Sequence, residues 1–159
     1  MILITDGGST KCDWILLDQK GDVVLKTRTK GLNPAVVPDE NIRERILANQ
    51  DLLPFVTKIT VVDFFGAGCG TKTPIRLLTR ILSEIFPFAT VSVNEDMVAA
   101  VYAATTKPGI VCILGTGSNS CYFDGENIEM KTPSLGYILM DEASGNYFGK
   151  MLLREYYYD

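Results

Sequence analysis

The sequence predicts an α/β fold, and three observations carry that expectation. Short apolar runs of strand length alternate with longer stretches of helical spacing. In chain order they read β-β-β-α-β-α-β-α. The pattern then restarts: "LITDGGS" can be written above "CILGTGS", with Gly8 over Gly117, Ser9 over Ser118 and Cys12 over Cys121. Such a repeat predicts two similarly built halves facing one another.

The first strand is expected over residues 2–5. Two more follow over 14–18 and 23–29, joined by a hairpin turn at Gln19-Lys20-Gly21-Asp22. After the loop Gly31-Leu32-Asn33-Pro34, Pro38-Asp39-Glu40 opens a helix whose apolar positions are Ile42, Ile46 and Leu47. Acids in its first turn suit the helix dipole. Residues 59–65, rich in β-branched and aromatic side chains, predict a strand that ends in the small-residue loop 66–70. Thr73-Pro74 reads as an N-cap with proline at the first helical position, and Ile75, Leu78, Leu82 and Ile85 mark one helical face. A strand over 90–93 and a small-residue helix over 96–105 complete the first half. Pro108-Gly109 punctuates before a new strand at Ile110, so the domains are placed at 1–107 and 108–159. The second is short for its pattern, with room for hairpins and one helix, and reads as incomplete. Its aromatic end, Tyr156-Tyr157-Tyr158, is expected in a helix packed on the domain; a sugar-stacking patch is the other reading.

Composition narrows the function. Of 159 residues, 47% are apolar and 21% charged, which supports a core and argues against disorder. A net charge of -4 with scattered Lys and Arg argues against nucleic acid or an anionic membrane as partner. Cys12, Cys69, Cys112 and Cys121 form no C-x-x-C pair and read as buried thiols in a reducing, cytoplasmic setting. Histidine is absent from the sequence, which removes a Ser-His-Asp relay, a histidine base and a histidine-rich metal site. Acid–base chemistry falls mainly to Asp or Glu.

The corner Asp6-Gly7-Gly8-Ser9-Thr10 is the first candidate site. Small residues there expose backbone N–H groups and hydroxyls, a cradle suited to phosphate. A carboxylate beside phosphate calls for a divalent cation between them, and Mg²⁺ needs only one or two carboxylates. A tight turn with a solvated aspartate is the alternative. Neither the Walker A ending nor the dinucleotide fingerprint is present.

Together "DGGSTKCDWILLD", "LGTGSNS" and "LGYILMDEASGNYFGK" resemble the acetate kinase–hexokinase–actin superfold. Within it they are similar to the N-acetylglucosamine kinase and BadF/BadG/BcrA/BcrD-type ATPase family. The resemblance implies a ribonuclease H-like actin/hexokinase-type domain, a mixed five-stranded sheet flanked by helices, plus the start of a second similar domain. It implies ATP-dependent phosphoryl transfer to an amino sugar such as N-acetylglucosamine. Gly7, Gly8, Ser9, Thr10 and Lys11 would meet the nucleotide phosphates, with Asp6 as the Mg²⁺ partner. Gly115, Thr116, Gly117, Ser118 and Asn119 would hold the phosphates from the second domain. In "VNEDMVAAVYAA" the family's base on the sugar hydroxyl falls on Asp96, with Glu95 where the family commonly has Asn. Asn33, Gly66, Ala67, Gly136 and Asp141, with Glu142 and Ser144 beside the last, match sugar-contacting positions. Met140 and Ala143 replace two glycines of the pattern; if those glycines take positive φ, each replacement costs about 1 kcal/mol or more. An acidic N-cap for "NED" and a turn-forming Asn-Pro for "GLNP" remain the plain alternatives. Alternative functions are a BadF/BadG-type activator ATPase and a catalytically weak sugar-sensing homologue. Apolar surface left uncovered by an incomplete half gives a route to homo-oligomers.

Overall fold

The computed structural model describes residues 1–131 and 134–158. Strands β1 (Ile2–Gly7), β2 (Lys11–Leu17) and β3 (Val23–Lys30) precede α1 (Asp39–Leu47), and a 3₁₀ turn spans Leu53–Lys58. Then come β4 (Val61–Gly66), α2 (Lys72–Ile85), β5 (Thr90–Glu95) and α3 (Asp96–Ala104). The expected first-half order is observed; the 3₁₀ turn, too short to carry a period, is the addition. Two compact units result, Met1–Asp96 and Met97–Asp159.

The first unit is built on a five-stranded mixed sheet in the order β3-β2-β1-β4-β5. β1 pairs antiparallel with β2 and parallel with β4, and β4 pairs parallel with β5. Strand alternation sends Leu3, Cys12, Trp14, Leu16, Val62 and Phe64 into one core. The helices close it with Ile42 and Ile46 of α1 and Leu78, Ile81, Leu82 and Ile85 of α2. Gly21, at φ +88°, makes the expected turn between β2 and β3, and Asp18 Oδ1 accepts the amides of Lys20 and Asp22 there. α2 begins earlier than the sequence suggested. Thr71 is its N-cap and Pro74 its third residue. Proline is tolerated there because the first helical amides have no intrahelical partner in any case.

The second unit holds β6 (Gly109–Leu114), β7 (Ser118–Phe123) and β8 (Ile128–Glu129) as a three-stranded sheet, and α4 (Gly145–Tyr158). Its small core is Met97, Val101, Val111, Cys121 and Phe123. Met97 and Val101 belong to α3, so the division falls at the start of that helix, ahead of the expected 107/108. The aromatic end is helical as expected, yet α4 has no buried residue among those described, and Tyr158 is 86% exposed. Cys12, Cys69 and Cys121 are buried thiols; Cys112 is exposed, against expectation, because it sits on the outward side of β6. No helix among the described residues is long and apolar enough to cross a membrane.

The repeat is real in topology and out of step in register. The first hairpin closes through the Gly8 N–H to the Lys11 carbonyl (2.8 Å), with Ser9 and Thr10 at its tip. The second closes through the Gly115 N–H to the Gly117 carbonyl (2.9 Å), with Thr116 at the tip. That turn is one residue tighter, so Ser118 already lies in β7, paired with Leu114, while Ser9 stands at a tip.

Leu78 is fully buried at the centre of the α2 face. Leu78→Ala is expected to cost about 2–5 kcal/mol, read as a lower denaturation midpoint at unchanged slope.

Candidate functional site

In the first unit the parallel strands end level with one another. Gly7 of β1 pairs with Gly66 of β4, and Gly66 with Glu95 of β5. The chain leaves the sheet at that edge through the corner 8–10, the loop 67–70 and the first turn of α3. The carboxyl edge of parallel strands is the common place for ligands in α/β sheets.

Phe64 explains the two glycines. Its ring is fully buried beneath them; a Cβ on Gly7 would lie 2.5 Å from the ring and one on Gly66 2.4 Å. Pairing continues past the sheet, with the Ala67 amide donating to the Gly7 carbonyl (2.9 Å). Asn33 joins the loops. Its Nδ2 donates to Ser9 Oγ (2.8 Å) and its Oδ1 accepts the Ala35 amide (2.8 Å). Asn33 is only 8% exposed, and a Cβ on Gly68 would fall 2.1 Å from its Oδ1. Gly68 also has φ +79°, so both space and backbone demand glycine there. With its oxygen accepting from Asn33, the Ser9 hydroxyl keeps its own hydrogen to donate elsewhere.

At the far end of the loop a Cβ on Gly70 would meet Glu95 Oε1 at 2.4 Å. Glu95 therefore leans into the space that the missing side chain leaves. Burial, then the charge of Asp96, raises its carboxyl above the ordinary range. The Cys69 thiol is pushed up to about 12 by burial, then by Asp96 and Glu95. It is inert at neutral pH, and it reports a locally negative potential. Asp96 is the first residue of α3, where a carboxylate meets the positive end of the helix.

The acids on the β1–β2 face are treated differently. Asp13 is held by Lys11 Nζ (2.7 Å) and by Arg28 Nε, hydrogen bonds that keep its carboxyl below the ordinary range. Lys11, expected at the phosphates, is thus engaged with Asp13. Asp6 lies directly across the ladder from Asp13, is exposed, and enters no ion pair among the described residues. Those residues also contain no group of three or more metal-ligating side chains. One exposed carboxylate beside a hydroxyl-rich corner suits a Mg²⁺ that retains most of its waters.

The second unit collects the other candidates. The Gly115 and Thr116 carbonyls accept the amides of Gly145 (2.9 Å) and Asn146 (3.2 Å) at the start of α4. Asp141, 8% exposed, accepts the Ser118 amide through Oδ1 (3.1 Å), and a Cβ on Gly117 would lie 2.7 Å from its Oδ2. Ser144, also buried, caps α4 by accepting the Tyr147 amide (3.1 Å). Asn119 folds back on its own strand, its Oδ1 accepting the Ser120 amide (2.9 Å). Ala143 has φ 60°, so the left-handed turn persists although its glycine is replaced. Met140 has no positive φ; Asp141 takes one instead, at 72°. Gly136, φ +73°, turns the preceding segment, its carbonyl accepting the Met140 amide (2.8 Å). Sequence reasoning missed Phe64, Cys69 and the partners of Asp13 and Asp141. Paired glycines at strand ends were the available signal for Phe64.

No protein-family profile matches the chain. A solved structure from Porphyromonas gingivalis, provisionally named an N-acetylglucosamine kinase, is 38% identical with a TM-score of 0.86. The match covers 98% of this chain and 56% of that one. A protein of the same provisional name from Chromobacterium violaceum is 17% identical, TM-score 0.70, over 96% of this chain and 55% of that one. A ROK-family glucokinase from Streptomyces griseus, solved with glucose and AMPPNP, is 19% identical, TM-score 0.57, over 80% of this chain and 46% of that one. The last two show likeness of fold alone. The chain spans about half the length of these solved structures.

Because the folded state raises the Glu95 carboxyl above its unfolded value, ionising Glu95 costs stability. The cost is absent below the ordinary carboxylate range and complete above the raised value. Glu95→Gln is expected to raise the thermal midpoint over wild type at about pH 7 and to leave it unchanged near about pH 3.

Proposed function

We propose that the chain, 38% identical to a provisionally named N-acetylglucosamine kinase of which it covers 56%, serves ATP-dependent phosphoryl transfer to an amino sugar such as N-acetylglucosamine. The observation that carries the reading is the level ending of β1, β4 and β5 at Gly7, Gly66 and Glu95. That edge gathers a hydroxyl-rich corner, a small-residue loop and the carboxylate that opens α3.

Phosphoryl transfer leaves a protein little covalent chemistry, so catalysis is positioning and charge stabilisation. In this reading Ser9 and Thr10 donate to phosphate oxygens, Ser9 held in place by Asn33. Asn33 and the backbone of Gly66 and Ala67 meet sugar hydroxyls. Asp96 accepts the proton of the attacking hydroxyl. Asp6 would hold Mg²⁺ through water, which would neutralise phosphate charge beside a carboxylate.

ADP release that depends on added sugar tests the reading, measured on the intact protein. Turnover with N-acetylglucosamine or a relative is expected, and ADP release indifferent to sugar would count against it. Asp96→Asn is expected to lower turnover by about 10²–10⁴-fold, the usual worth of a general base, with sugar affinity largely kept. A near-wild-type rate would remove Asp96 from the base role.

A further inference from the structure

We propose that Glu95 is a specificity-determining residue at this site, and that it favours an amino sugar with a free, positively charged amino group over its N-acetylated form. The inference rests on the sugar-kinase reading and sharpens the substrate class within it.

Placement is the first argument. Glu95 closes β5 in register with Gly66, one residue before Asp96. Its carboxyl rests against Gly70, the last residue of the 66–70 loop, two residues beyond Gly68, against which the Asn33 amide rests. The loop is thus a strip of small residues with an amide against its middle and a carboxylate against its end. Both groups occupy space that a Cβ on the loop would take, so the backbone is shaped to admit them.

Charge is the second argument. None of the ion pairs among the described residues involves Glu95. Its carboxylate stands beside Asp96, half-buried, and both act on Cys69 in the sense that disfavours further negative charge. A protein usually relieves such a group with lysine or arginine. Where it does not, the group is relieved by whatever cation binds. An ammonium supplies a unit charge and three donors, and suits an acceptor-only carboxylate. An acetamide supplies one neutral N–H and a carbonyl oxygen that a carboxylate repels.

Steady-state kinetics with glucosamine and N-acetylglucosamine, on wild type and Glu95→Gln, test the proposal. The amide keeps the size of the side chain and removes its charge. Expected is a fall of about tenfold in the ratio of kcat/KM for glucosamine to that for N-acetylglucosamine, the worth of one charge-assisted hydrogen bond. Turnover of both sugars with the ratio unmoved by the substitution would overturn the proposal and leave the kinase reading standing. If wild type turns over neither sugar, the kinase reading fails, and calorimetry with the sugars alone decides the inference. Tighter glucosamine binding that Glu95→Gln abolishes would support it; equal binding of the two sugars would overturn it.

Discussion

The first unit depends on one packing constraint: the Phe64 ring fills the volume under the ends of two adjacent strands. Gly7 and Gly66 have no side chain because the ring is already there. A methyl added at either would push a buried aromatic out of its well, and overpacking of that kind costs about 1–3 kcal/mol. Two neighbouring strands therefore stop at the same level, and their exits lie side by side at the carboxyl edge. Asn33 then ties the two exits together through Ser9 and the space at Gly68. The polar edge is held in shape from below by a hydrophobic side chain that meets no ligand.

That arrangement decides how much could be read from the sequence. Element order followed from periodicity alone, since β1 opens on an apolar run, β4 is rich in β-branched and aromatic residues, β5 alternates and α2 carries a wide apolar stripe. The glycines were equally visible, but their cause was not. Gly7 and Gly66 looked like room for phosphate and sugar, while Phe64 supplies a sufficient reason of its own. The start of α2 was placed at Thr73 rather than Thr71, because proline is acceptable throughout the first helical turn and does not mark its first residue. The hairpin repeat was detectable from composition, yet its register depends on turn length, which similar letters do not report. Glu95 and Gly70 are distant in sequence and meet only through the β4–β5 pairing, so no local pattern could join them.

Charges around the edge are sorted by whether the protein neutralises them. Asp13 has Lys11 and Arg28, a pairing of exposed groups that is worth little to stability. Its consequence lies elsewhere. Like charges directly opposite on a ladder are destabilising, and with Asp13 neutralised Asp6 can face it at small cost. Asp6 then remains an exposed carboxylate next to the Ser9-Thr10 tip. Glu95 has no such partner among the described residues, although it is the more deeply placed of the two. An unrelieved carboxylate at the carboxyl edge of the parallel strands costs stability that the fold itself does not require.

The two hairpin corners, similar in letters, are unequal as anion cradles for the same reason. In the second, Asp141 already supplies a carboxylate to the Ser118 amide, and Gly117 is bare because that carboxylate needs the space. Asp141 and Ala143 both take left-handed backbone to bring this about, a strain that L residues bear only when the surroundings hold them. An internal anion thus holds part of the second corner, and a phosphate arriving there would meet like charge. In the first corner Ser9 is held by a neutral amide instead. A neutral support leaves the Ser9 hydroxyl hydrogen to donate, whereas a carboxylate takes up the Ser118 amide. The single tighter residue in the second turn, which moved Ser118 from a tip into a strand, is what placed its amide within reach of Asp141.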